Sequence, residues 1–177
     1  LTAQDVKDII AQYNVSSAIY SSVGVSGTDI TNALHQACDN VIELTHETRL
    51  PIVLDYDTPT TLGRDRIAAA AGAHELHPGK NVLIVDMGTA VTYDILSKDA
   101  RFNGGNIAPG LKMRLDALHH LTARLPHVSP DGDCPIWGRN TETAIRAGAI
   151  YGIVGEISYY KSILPDDTIV LLTGGSA

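Results

Sequence analysis

The stretch NVLIVDMGTAVTYDIL, residues 81–96, decides how this chain is read. An apolar run from Val82 to Val85 stops at a carboxylate, Asp86. Met87, Gly88 and Thr89 follow, and a second apolar-rich run then begins. A carboxylate at the end of a buried strand is costly without a cation or hydrogen-bond donors. Gly88 lets the backbone approach a ligand or take positive φ. Thr89 offers a hydroxyl and a backbone N–H suited to a phosphate oxygen. A hairpin turn also favours Asp and Gly. On these residues alone, phosphate loop and plain turn are evenly matched.

Outward from this stretch, the pattern alternates between strands and helices. Val6, Ile9, Ile10 and Tyr13 fall at helical spacing behind Thr2, an N-cap candidate with Asp5 at the third helical position. SAIYSSV (17–23) reads as a strand, Gly24 to Thr28 as punctuation, and Asp29 to Asp39 as a helix. VIELT and PIVLDY read as strands, and TLGRDRIAAAAGAHELH (61–77) as a helix closed by Pro78 and Gly79. NVLIVDM, AVTYDIL and ARFNGGNIA form three strands, the first two joined by a tight turn. A helix is expected from Gly110 to Arg124, with Leu111, Leu115, Leu118 and Leu121 along one face. Residues 125–137 form a Pro-rich polar loop of a length that is uncommon unless functional or mobile. A long helix starts behind Asn140, and TIVLLTGGSA closes the chain as a buried strand running into a glycine turn. The class is therefore α/β with a mixed sheet. HPGK (77–80) marks the expected boundary between a part spanning 1–79 and a part spanning 80–177.

Composition narrows the function classes. The chain has 177 residues, 44% of them hydrophobic, enough for one large or two small cores. A formal charge of −7 argues against generic nucleic-acid binding. No apolar run reaches the length of a membrane span, and no leader pattern is visible. Cys38 and Cys134 lack CxxC spacing, so free thiols in a reducing, cytoplasmic setting are expected. Among seven histidines, His74 and His77 share a helix face without HExxH spacing, and His119 and His120 diverge; surface or helix-end roles are expected of them.

Four further stretches carry potential chemistry. In TLGRDR, Asp65 stands between Arg64 and Arg66 near a helix start. Either it is a general base with Arg66 holding an anion and Tyr56 as a wall, or the three form a solvated, ion-paired face. NGGNIAPG (103–110) places Gly104, Gly105 and Gly110 before a helix, either for close backbone approach or as a bulged strand and helix start. GRNT (138–141) leads into the long helix, with Asn140 as N-cap and Thr141 able to point outward. TGG (173–175) leaves bare backbone at a strand end, where an adenine or ribose could lie.

Together these segments resemble the type III pantothenate kinases of the acetate and sugar kinase/Hsp70/actin superfamily. The matching stretches are SSV, DYDTPTTLGRDR, VDMGTAVTYD, GGNIAPGLKMRLDALHHLTARLP, GRNTETAIRAG and TGG, in the family's order from Tyr20 onward. The resemblance implies an actin-like (ribonuclease H-like) fold of two related halves and ATP-dependent phosphorylation of pantothenate, opening coenzyme A synthesis. It implies Asp65 as catalytic base, and Gly63, Arg64, Arg66 and Tyr56 around pantothenate, with Arg66 matched to the carboxylate. Asp86 would bind a monovalent cation, K⁺ or NH₄⁺, and Gly88, Thr89 and Gly174 would contact ATP with its Mg²⁺. Thr141 would reach pantothenate across a homodimer interface, and neither nucleic acid nor membrane is an expected partner. Two alternatives stay open: a non-catalytic accessory or regulatory homologue, and a kinase of the same superfamily with another small acceptor.

The family pattern also includes a first phosphate loop, Asp-x-Gly-Asn-Thr, and a closing helix. SSVGVSG lacks the acid and matches a later strand, and residues after TGG are few. The expectation is a fragment of a longer chain rather than a degenerate homologue, with a first sheet that looks incomplete.

Overall fold

A computed structural model describes residues 2–21 and 28–175, apart from the Thr28 side chain. The last residues of the expected first strand, Ser22 and Val23, and the glycine punctuation at Gly24 and Gly27 lie outside the described residues. The chain forms two compact units, 1–50 with 57–68, and 51–56 with 69–177.

In the first unit, helix α1 (Ala3–Tyr13) starts at the expected capping box. Thr2 and Asp5 each accept the other's backbone N–H. Strand β1 (Ser17–Tyr20), helix α2 (Thr28–Ala37) and strand β2 (Asn40–Glu43) follow. β1 and β2 pair in parallel. Val6, Ala33 and Leu34 form the core of this unit, with Ile10, Ala18, Ile30 and Val41 packed around them. Ile19 and Ile42, on the opposite face, are more than half exposed. Helix α3 (Arg64–Leu76), of which residues 64–68 belong to this unit and 69–76 to the second, buries Ile67, Ala70 and Ala73, the three-residue spacing of a single helix stripe.

The second unit is built on a five-stranded mixed sheet. Its strands are β3 (Val53–Leu54), β4 (Val82–Met87), β5 (Ala90–Leu96), β6 (Arg101–Pro109) and β7 (Ile169–Thr173), in the order β3-β6-β5-β4-β7. β4 to β6 form an antiparallel meander, whereas β3 on β6 and β7 on β4 are parallel. The expected run Val82–Val85 is wholly buried at the sheet centre. Each such side chain contributes roughly 1.5–3 kcal/mol through burial. Leu83, Val85, Val91 and Tyr93 pack against Ile153 of helix α5 (Thr141–Ser162).

Two expectations need correction. The helix expected over 110–124 is α4, Leu111–His120, and ends four residues early. The Thr122 hydroxyl donates to Leu118 O (2.6 Å), and the His119 ring donates to Leu125 O (2.9 Å), so the chain folds back there. Leu115 is buried, but Leu121 is 83% exposed. The closing strand β7 is not buried: it lies at the sheet edge, with Leu172 48% exposed.

Candidate active site

The opening stretch turns at one end of the second unit's sheet. Asp86 is half-buried and stands beside Thr92 of β5 and Thr173 of β7. The Gly88 N–H donates to Ala90 O (3.1 Å), which makes the turn. Because β4 and β7 are parallel, their C-terminal ends coincide. Gly174, at φ +98°, therefore lies directly against Asp86: a Cβ there would stand 2.6 Å from Asp86 Oδ1 and from Met87 C. Gly110, which caps α4, is equally close-packed, since its missing Cβ would overlap the Gly88 and Thr89 carbonyls. Its N–H donates to Thr89 O (3.0 Å). The result is a carboxylate framed by bare backbone, with Gly88, Thr89 and Gly174 exposed to solvent. An open groove of about 800 Å³ adjoins it, lined by Gly88, Thr89, Lys112, Asp116, His120 and Gly175.

Helix α4 is fixed over this end by a charged network. Arg114 donates through Nη2 to both Glu156 oxygens (2.8 and 2.7 Å) and through Nε to Pro109 O (2.7 Å). The Tyr93 hydroxyl donates to Glu156 Oε2 (2.6 Å). Burial works to raise the Glu156 carboxyl, but the bonds from Arg114 and Tyr93 outweigh it and hold it below its ordinary value. Burial pushes the Tyr93 phenol well up, and the Glu156 carboxylate beside it adds to the effect.

The second candidate cluster lies at the start of α3, in the first unit. Asp65 is exposed, and its Oδ1 accepts the Arg66 N–H (2.9 Å). Gly63 runs so close to that carboxylate that a Cβ would overlap Oδ1. Arg64 donates to Glu43 Oε1 (2.6 Å), and Arg66 is 5% exposed. The ion-paired face anticipated as one reading of TLGRDR therefore exists for Arg64, whereas Asp65 stays open to solvent.

Tyr56, two residues beyond β3, and Thr141, at the start of α5, belong to the second unit. The Tyr56 ring packs on Phe102, with centroids 6.1 Å apart, and over Gly104. Thr141 is the exposed first residue of α5, behind a reciprocal cap between Asn140 and Thr143. It lines a groove of about 550 Å³ with Arg139, Leu118 and Leu125.

Thus Asp86, Gly88, Thr89 and Gly174 are brought together at one sheet end, and Gly63, Arg64, Asp65 and Arg66 at one helix start. Arg114, Arg146 and Glu156 were not anticipated. Their only sequence signal is a charge inside an otherwise apolar or helical run, as in AIRAGAIYGIVGEI. Among the described residues, no three His, Cys, Asp or Glu side chains gather to hold a metal ion, and no helix is long and apolar enough to cross a membrane.

The family profile described as type III pantothenate kinase matches residues 2–162. The type III pantothenate kinase of Phocaeicola vulgatus is 44% identical over 170 residues, covering 94% of this chain and 70% of that protein. That of Porphyromonas gingivalis is 41% identical over 180 residues, covering 98% and 73%. Among solved structures, a Campylobacter jejuni protein assigned to the Baf family of transcriptional activators superposes with a TM-score of 0.61 at 24% identity. The match covers 96% of this chain and 73% of that one, and it shows a shared fold.

Proposed function

The chain belongs to the type III pantothenate kinase family, and from that membership we infer how its residues perform the reaction. The activity is ATP-dependent phosphorylation of pantothenate to 4′-phosphopantothenate, the first step of coenzyme A biosynthesis.

Phosphoryl transfer asks the protein chiefly for positioning and charge stabilisation. In the proposed reaction, Asp65 accepts the proton of pantothenate's primary hydroxyl. The freed oxygen forms a bond to the γ-phosphorus, the bond from that phosphorus to the β–γ bridging oxygen breaks, and ADP leaves with the electron pair. Asp65 suits the role by being an exposed carboxylate held in place by the Arg66 N–H and the close Gly63 backbone. Gly63, Arg64, Arg66 and Tyr56 form the pantothenate side, with Arg66 opposite the carboxylate. Gly88, Thr89 and Gly174 form the ATP side, where backbone without Cβ atoms admits phosphate or ribose at close range.

The observation that supports this reading best is the packing of Gly174 against Asp86. A tight hairpin needs no second strand end there, so the closeness favours a binding cradle over a plain turn. A single carboxylate beside bare, closely packed backbone is a hard, weakly charged site that suits a monovalent ion such as K⁺ or NH₄⁺. Asp86 would hold that ion, which would offset phosphate charge; Mg²⁺ would accompany ATP.

The remaining parts of the proposal are an actin-like pair of related halves meeting near 77–80, a homodimer in which Thr141 serves the partner's pantothenate site, and a cytoplasmic location. ADP release from the full-length protein, measured with pantothenate and with sugars or acetate in parallel, tests the acceptor. Turnover with another acceptor and none with pantothenate would overturn it, and no ATP turnover at all would favour the regulatory alternative.

A further inference from the structure

Between α4 and α5 lie twenty residues, 121–140, with neither helix nor strand. So long a connection needs an anchor to hold one course. Arg146, in the second turn of α5, is 6% exposed. Its Nε donates to Ser129 O (3.0 Å), and Nη1 donates to Asp133 O (2.8 Å). Gly132, at φ +125°, lies over the guanidinium so closely that a Cβ would be 3.1 Å from Cζ. No carboxylate pairs with Arg146 among the described residues. A buried guanidinium that meets only loop carbonyls is an expensive device, and its visible effect is to fix residues 129–133.

The same loop ends in the groove that Thr141 lines. Gly138 crosses the first turn of α5 against Thr143 and Ala144, and the Arg139 and Asn140 N–H groups donate to Thr143 Oγ1 (3.1 and 3.2 Å). Val128, just before the anchored carbonyls, is buried with Leu115, Ile145 and Ala149. The loop is thus fixed at Val128, at 129–133 through Arg146, and at Gly138, and further polar ties join it to the helices at His127 to Asp116 (3.0 Å) and at the Tyr151 hydroxyl to Cys134 O (3.3 Å).

We propose that Arg146 is a positioning residue for the pantothenate site: by holding Ser129 O and Asp133 O it sets the loop that walls the groove presenting Thr141. The inference rests on the reading of Thr141 as a pantothenate contact. Arg146 touches no reacting atom, so its loss acts on acceptor binding rather than on ATP.

The test uses the full-length protein and four variants: Arg146→Met, Arg146→Lys, Gly132→Ala and Thr141→Val. Gly132→Ala disturbs the same contact from the loop side without removing a charge, so it carries the test if Arg146→Met fails to fold. Amide exchange at 128–134 should speed up in Arg146→Met and in Gly132→Ala. KM for pantothenate should rise on the order of tenfold in both, while KM for ATP stays within about twofold. Arg146→Lys, which places one charge but not the two-pronged fork, should recover only part of the effect. Unchanged exchange would overturn the anchor, and faster exchange with unchanged KM for pantothenate would overturn its link to the site. Failure of the Thr141 reading is separate: Thr141→Val would then leave KM for pantothenate unaltered while the Arg146 and Gly132 variants still raised it.

Discussion

Gly174 rests on the carboxylate of Asp86, at the place where the parallel strands β4 and β7 end together. A Cβ at residue 174 would stand 2.6 Å from Asp86 Oδ1 and 2.7 Å from Met87 N, at a φ of +98° that L side chains rarely adopt. Gly174→Ala should therefore strain the backbone by about 1–3 kcal/mol and push the strand ends apart. A drop in Tm of several degrees is expected. Phosphorylation should fall at least about tenfold, with KM for ATP affected more than KM for pantothenate. Wild-type KM for ATP in this variant would remove Gly174 from the ATP side.

Asp86→Asn keeps the shape of that sheet end and removes its charge. If the carboxylate holds a monovalent cation, the wild-type rate should rise with K⁺ at constant ionic strength, and the variant should be slow and insensitive to K⁺. Coupled assays across a KCl series, balanced with a bulky organic cation, read this directly. An unaltered K⁺ curve in the variant would place the cation elsewhere.

Asp65→Asn tests the base. Asp65 is exposed, and its Oδ1 accepts the Arg66 N–H, a bond that an amide oxygen also accepts. The fold should persist, with an unchanged circular dichroism spectrum and Tm. Turnover should fall by about 10²–10⁴, the usual contribution of a positioned general base. Full activity in this variant would assign proton removal to another group.

Some of these features are legible because their causes are local. The end of β4 is visible as an apolar run, an acid and a glycine, and the caps at Thr2 and Asn140 are visible as short-range side-chain pairings. The end of α4 is not, because it is set by the His119 ring reaching Leu125 O beyond the helix. The edge position of β7 depends on strand order, to which TIVLLT is blind. Arg146 and Glu156 sit in α5, where charges ordinarily face water. The burial of Arg146 depends on carbonyls 13 and 17 residues upstream, and the partial burial of Glu156 on Arg114, 42 residues away. The proposed roles of Asp65 and Thr141 rest on the order of motifs, since each alone is an ordinary helix-start residue.

The Arg114–Glu156–Tyr93 network predicts a two-sided pH dependence of stability. Glu156 has a folded pKa below its ordinary value of 4.5. Its contribution is then fully present above about pH 4.5 and is lost as pH falls through the lowered folded value. Tyr93 is shifted the other way, above its ordinary value of 10.0. Its contribution is present below about pH 10 and is lost as pH rises toward the raised folded value. Glu156→Gln should flatten the acid limb and cost about 1–2 kcal/mol at neutral pH, less than a fully buried pair because Glu156 is 33% exposed. Tyr93→Phe should flatten the alkaline limb and leave the acid limb nearly as steep, because Arg114 still holds Glu156 through two bonds. Chemical denaturation at pH 3.5, 7 and 10.5 separates the two limbs. An acid limb in Glu156→Gln as steep as in the wild type would show that other carboxylates govern acid unfolding, and that α4 is held over the Asp86 end by packing rather than by charge.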